Sequence, residues 1–255
     1  MDEELNREAR AFWEREPCGT GDETTGGLEL GGAEWFEAVE RNRYAREPMI
    51  HAVAQFTRHR GARLLEVGVG AGTDHLQWAR AGCDCTGVDL TDAAIETTRR
   101  RFALHGLRSE LRRMDAESLP FDDGAFDLVW SWGVIHHAER PERIVAEIRR
   151  VLAPGGEFRG MMYKRWSLAV LKEWIKHALL KGRPWRSFAD VLARHFESPG
   201  TKAYTLSELR RMFADFAEVS VEPVITPYDL QHLPSFLGNW LPPSLGSFIV
   251  IRAKR

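Results

Sequence analysis

The chain has 255 residues, of which 44% are hydrophobic and 10% aromatic, enough apolar surface for a sizeable core and too much for a disordered chain. Lys and Arg number 35 against 37 Asp and Glu, a net charge of −2, which excludes the positive excess that nucleic-acid binders use to neutralise phosphates. The longest apolar runs, such as Phe248–Ile251, fall short of the roughly 18 to 20 residues that span a bilayer, and the acidic start Met1–Glu4 is unlike a signal peptide. The expectation is a soluble, cytoplasmic protein with no nucleic-acid partner and no stable membrane insertion. Cys18, Cys83 and Cys85 are an odd set suited to a reducing compartment, and Cys83-Asp-Cys85 has no second ligand pair nearby, so no metal is expected.

In chain order, residues 1–60 read as an N-terminal helical cap, with helices over Asn6–Glu14 and Glu34–Val53 around a Gly- and Thr-rich loop, Gly19–Gly32. From residue 61 to 163 short apolar runs alternate with helical periodicity. Strands are expected at Arg63–Val67, Cys85–Val88, Glu110–Met114, Phe126–Trp130 and, after a Pro154-Gly155 turn, Gly156–Tyr163. Helices are expected at Thr73–Ala81, Thr91–Phe102 and Pro141–Leu152, the last with Pro at its first turn. Residues 164–204 carry no strand signal and read as a helical insertion or lid. Residues 205–255 return to the sheet: Thr205-Leu-Ser-Glu208 has the form of a capping box opening a helix to Phe213, followed by strands at Val219–Ile225 and Gly246–Arg252. Strand and helix in alternation predict an α/β fold with a doubly wound parallel sheet.

Chemistry concentrates where the first strand runs into Glu66-Val-Gly68-Val-Gly70-Ala-Gly72-Thr73. Glycines there permit a sharp turn and close approach of backbone to a ligand. Their every-second-residue spacing is neither the dinucleotide fingerprint nor a P-loop, which makes a nicotinamide-dependent oxidoreductase the weakest of the enzyme readings. Glu66 at the strand end suits a ligand with an ammonium group better than a pyrophosphate. Asp89, with Leu90, ends the second strand, where a carboxylate can take both hydroxyls of a ribose. Asp115-Ala116 ends the third, within reach of an exocyclic adenine amine. Each acid alone reads as a turn or helix cap; three at successive strand tips do not.

These residues resemble the class I S-adenosylmethionine-dependent methyltransferases, in particular the ubiquinone/menaquinone-biosynthesis-like, small-molecule branch of the methyltransferase domain 11 type. The resemblance rests on Glu66–Gly72, Asp89, Asp115-Ala-Glu-Ser-Leu-Pro-Phe121, Phe126-Asp-Leu-Val129, Gly133-Val-Ile-His-His137 and Arg150-Val-Leu-Ala-Pro-Gly-Gly156, in order, over residues 62–163. It implies a Rossmann-like sheet of seven strands with the last antiparallel, S-adenosylmethionine as cofactor, methionine on the glycine loop, ribose on Asp89, and adenine on Asp115 and Ala116. The chain departs from the Asn/Asp-Pro-Pro-Tyr/Phe run of base-methylating relatives: Ser131-Trp132-Gly133 stands there, which argues for a small-molecule acceptor.

Thr73, Asp74 and Ser131 are further candidates for donor contact, Asp74 either capping its helix or reaching the ammonium. Tyr44, in Arg41-Asn-Arg43-Tyr44, either packs near the sulfonium or lies on a solvated helix face. His136 and His137 are the candidate general bases, against a purely structural role in their loop. Tryptophans 130, 132, 166, 174, 185 and 240 and Phe236 either line an acceptor pocket or pack in the core, and the apolar Leu233–Pro243 stretch either closes that pocket or touches a membrane surface. A rival function is a protein that binds S-adenosylmethionine without methylating, as a sensor or a cyclisation catalyst. The oligomeric state is not readable from the sequence.

Overall fold

The computed structural model describes residues 4–15, 17–231 and 240–255. Helices α1 (Glu4–Arg15), α2 (Asp22–Thr25), α3 (Ala33–Arg46) and α4 (Ile50–Ala54) precede the sheet. The core then runs β1 (Arg63–Val67), α5 (Thr73–Arg80), β2 (Asp84–Asp89), α6 (Asp92–Leu104), β3 (Glu110–Arg113), β4 (Phe126–Trp132), α7 (Pro141–Val151) and β5 (Leu152–Tyr163). Helices α8 (Leu168–His177) and α9 (Phe188–His195) form the helical part of residues 164–204. The chain returns through α10 (Leu206–Met212), β6 (Glu218–Val224), α11 (Pro227–Leu230) and β7 (Phe248–Lys254).

The sheet has seven strands in the order β3-β2-β1-β4-β5-β7-β6. β1 to β5 pair in parallel, and β7 lies antiparallel between β5 and β6. Alternation along the central strands divides the core in two. Leu65 and Val129 pack on one face with Ile148, Phe158 and Phe213; Leu64 and Leu128 pack on the other with Trp78, Trp130 and Met161. Each such side chain removed from water contributes about 1.5–3 kcal/mol, so this central layer anchors the strand ends rigidly.

Two local features differ from expectation. The single helix expected over Glu34–Val53 is broken, because Pro48 disfavours helical geometry at Glu47, whose φ is −130° and ψ 59°. The Pro154-Gly155 turn is instead a register shift inside β5: Leu152 pairs with Phe126 and Glu157 with Leu128, with Gly155 at φ 78°. The Thr205–Glu208 capping box is present, with Thr205 N donating to Glu208 Oε2 at 2.7 Å. The N-terminal cap is fastened across the strand tips: Glu14 accepts hydrogen bonds from Asp92 N (3.1 Å) and Ala93 N (3.0 Å) at the start of α6.

Candidate active site

Past β1 the chain turns through Gly68, Gly70 and Gly72, all in the left-handed region at φ 83°, 53° and 71°. Two of them are forced by packing as well as by φ. A Cβ on Gly68 would lie 2.2 Å from Val134 Cγ2, and one on Gly72 would lie 2.8 Å from Thr98 Oγ1. At Gly70 a Cβ would meet nothing within 4 Å, so this residue opens onto space at the loop's crest.

That space belongs to a cavity of about 400 Å³ running along the carboxyl edge of the sheet. Glu66, Gly68, Gly70, Thr73, Asp74, Asp89, Leu90, Asp115 and Ala116 all line it, so most of the candidate donor residues are brought together. Gly72, Ser131 and Tyr44 do not line it. Gly72 forms the turn from behind, Ser131 gives its hydroxyl to Val67 O at 3.0 Å, and Tyr44 packs against His51 at a tilt with its hydroxyl on Asp74. These three candidates thus stand behind the cavity wall, bonded to or packed against residues that line it.

Asp89 Oδ2 accepts from Gly70 N at 3.1 Å, and Oδ1 from Thr91 N at 3.0 Å and Thr91 Oγ1 at 2.8 Å. The carboxylate thus fixes the loop crest against the β2 tip while facing the cavity. Burial pushes its pKa up, and these hydrogen bonds pull it back. Asp115 is held by Glu117 N (2.9 Å) and by Asn6 Nδ2 (2.9 Å), which also reaches Glu117 Oε1 at 3.1 Å. Asn6 therefore ties α1 to the β3 tip and lines the cavity; nothing in the periodicity of α1 singles it out.

Glu66 Oε2 lies 3.0 Å from His75 Nδ1, and His75 Nε2 lies 2.7 Å from Ser109 Oγ, which donates to Cys85 O at 2.7 Å. Because Ser109 spends its one proton on that carbonyl, His75 donates through Nε2 and accepts at Nδ1, leaving Glu66 as the donor in its acid form. Burial favours this neutral pair, taking His75 down to about 3 and Glu66 well above the usual carboxyl range.

Asp74 is a structural anchor. Its carboxylate accepts from Arg43 Nη2 (2.6 Å) and Nε (3.2 Å), Tyr44 Oη (3.2 Å) and Trp130 Nε1 (3.3 Å), clamping α3 to α5. Arg43 also faces Glu47 at 3.7 Å, and Glu47 accepts from the indole N–H of Trp132. These links exist because the Pro48 break turns Glu47 inward.

The rest of the cavity is walled by Trp13, Trp132, Met161, Tyr163, Phe196 and Phe248. Of the tryptophans named from sequence, Trp132 lines it and Trp130 is core behind it. Trp166, Trp185 and Trp240 are exposed, Trp174 donates to Arg186 O, and Phe236 lies outside the described residues, as does most of the Leu233–Pro243 stretch.

The two histidines separate. His137 lines the cavity, whereas His136 is fully buried outside its lining, 4.0 Å from the Tyr163 ring, with neither ring nitrogen hydrogen-bonded. Burial, with His137 and Lys202 nearby, holds His136 well below the usual imidazole range, so of the two candidate bases His137 is the one that faces the cavity. His137 Nδ1 lies 2.8 Å from Ser198 Oγ and 3.0 Å from Thr201 Oγ1, and Thr201 gives its own hydroxyl proton to Ser198 O (2.6 Å). Nε2 lies 3.3 Å from Glu197 Oε2, while Tyr163 donates to Glu197 Oε1 at 2.8 Å. Donor atoms of His136, His137 and Glu197 fall within 4.8 Å of one another, a metal-compatible grouping that the cysteine count did not foresee. Glu197, Ser198 and Thr201 come from the insertion, 60 residues and more along the chain, and no local pattern announces them.

The residues fit S-adenosylmethionine: open space over Gly70 and an acid at each of the β2 and β3 tips. Residues 65–159 match the family model of a methyltransferase domain. The chain is 38% identical over 123 residues, 48% of its length and 45% of the relative's, to the phthiotriol/phenolphthiotriol dimycocerosates methyltransferase of Mycobacterium leprae. It is 37% identical over 124 residues, 48% of its length and 44% of the relative's, to a fatty-acid O-methyltransferase of Mycolicibacterium smegmatis. The chain spans about half the length of the curated relatives it matches. Among solved structures, the [4+2]-cyclase SpnF shares the fold at a TM-score of 0.57 and 20% identity, over 89% of this chain and 84% of that one. Sheet order, glycine loop, strand-tip acids and family match together make residues 65–159 a methyltransferase domain of the class I, S-adenosylmethionine-dependent type.

Proposed function

We propose that the protein transfers the methyl group of S-adenosylmethionine to an oxygen of an apolar, lipid-like small molecule. The observation that carries this reading is one cavity shared by the donor cradle at Gly70, Asp89 and Asp115 and by an aromatic-walled chamber containing His137. The cofactor supplies a methyl already activated by a sulfonium, so the protein's task is alignment of the acceptor and disposal of one proton. Trp13, Trp132 and Phe196 orient an apolar acceptor and exclude water. His137 takes the hydroxyl proton, and Glu197, 3.3 Å from its Nε2, stabilises the imidazolium. A carboxylate acceptor needs no base. Relatives named for phthiotriol dimycocerosates and for fatty acids support an apolar, oxygen-bearing acceptor.

The test is incubation with methyl-labelled S-adenosylmethionine and separate aqueous and lipid extracts of the source cells, with mass analysis of labelled products. Label in an organic-phase product bears the reading out. Donor binding by calorimetry with no labelled product in either extract turns it toward the non-methylating rival.

A further inference from the structure

We propose that α8 and the turn after it dock on an anionic lipid surface. Leu171, Ile175 and Leu179 recur at four-residue intervals along one face, 41%, 37% and 47% exposed, and Leu180 and Trp185 beyond them are 75% and 78% exposed. Single exposed leucines are ordinary on a protein surface; five large apolar side chains within 15 residues are not. No described element packs over them.

Charge identifies the occupant. Residues 168–186 carry five basic side chains and one acidic, in a chain whose net charge is −2. Lys176 borders the apolar stripe, and His177, Lys181, Arg183, Arg186 and His195 line a small cleft at its far end. Glu173, the one acid, is engaged with Lys176 (3.8 Å) and His177 (3.3 Å), and Asp190 of the facing helix with Arg186 (2.5 Å) and Arg194 (2.7 Å). Lys172, Lys181 and Arg183 make no ion pair among the described residues. A leucine and tryptophan stripe bordered by cations matches an acyl–headgroup boundary bearing negative charge, with the cleft suited to a headgroup phosphate. A second copy of this chain would have to bury the same cations against each other.

Docking here has a functional consequence that rests on the methyltransferase reading. The opposite side of α8 lines the main cavity through Ala169, Lys172 and Glu173, so the docked face and the acceptor chamber share one helix. No described helix is long and apolar enough to cross a membrane, so the attachment is peripheral.

The test is sedimentation of the whole protein with vesicles of phosphatidylcholine alone, or with about one-third phosphatidylglycerol, at low and high salt. Wild type is expected to bind the anionic vesicles at least about tenfold better than the neutral ones, and salt should abolish the difference. Leu180→Asp with Trp185→Asp, and separately Lys181→Glu with Arg183→Glu, should each cut binding by about tenfold or more while calorimetric donor affinity stays unchanged. Equal binding to both vesicle types, binding unaffected by either double variant, or no binding together with a dimer that Leu180→Asp dissociates would each overturn the proposal. Failure of methyl transfer with vesicle binding intact would overturn the enzymatic reading alone.

Discussion

The donor side and the acceptor side of the cavity are built by different means. Donor residues sit on consecutive strand tips of one rigid sheet, and their positions follow from backbone geometry: left-handed glycines, and short acids that hydrogen-bond backbone N–H groups one or two residues on. The proposed acceptor residues arrive on separate segments, Trp13 from the cap, His137 from the β4 tip and Glu197 from the insertion, and meet only through tertiary packing. The first arrangement fixes a common ligand; the second can be altered segment by segment to change what is methylated.

The contrast makes separable predictions. His137→Ala should lower turnover about 10²–10⁴-fold with donor affinity unchanged, as read by steady-state kinetics and calorimetry. His136→Phe, which removes two unpartnered nitrogens, should leave turnover within about threefold; a large loss would place His136 with His137 and Glu197 as a ligand set. On the donor side, Asp89→Ala should weaken binding by about 2–4 kcal/mol, since it removes both the ligand contact and the restraint on Gly70. Unchanged affinity would sink the ribose assignment. Gly68→Ala should destabilise by about 2–4 kcal/mol because strain and the Val134 clash add, whereas Gly70→Ala carries the strain alone, about 1 kcal/mol, and acts instead on donor affinity. Equal thermal shifts for the two would contradict that division.

The smallest effect concerns pH. His75 is neutral in the fold, with its pKa lowered to about 3, so its contribution to stability is complete above its unfolded value of about 6.5 and declines as pH falls from there toward 3. Denaturation midpoints of wild type and His75→Asn should therefore converge between pH 7 and pH 5. A constant gap would show that His75 does not titrate on unfolding.

Much of the donor half was readable because its signals are local. β1 is placed at Arg63–Val67 by its apolar run and the following Gly68, and the capping box at Thr205 follows from four residues. Asp74 shows where local reading stops. A helix-start acid reads equally as cap or ligand, and its anchoring hydrogen bonds come from two other segments, Arg43 and Tyr44 of α3 and Trp130 of β4. Glu47 was within reach of the sequence, since Pro48 signals the helix break that turns it inward. Asn6, Glu197 and Thr201 were not, because each acquires its role from a partner 60 or more residues away.

The central claim is that one cavity holds the donor on the glycine loop with its sulfur directed at the chamber of His137. A crystal structure of the complex with S-adenosylhomocysteine tests it most directly. The account predicts ribose oxygens within hydrogen-bonding distance of Asp89, the adenine beside Asp115 and Ala116, and the sulfur facing Trp132 and His137. A nucleoside bound away from Asp89, or a sulfur turned from that chamber, would contradict it.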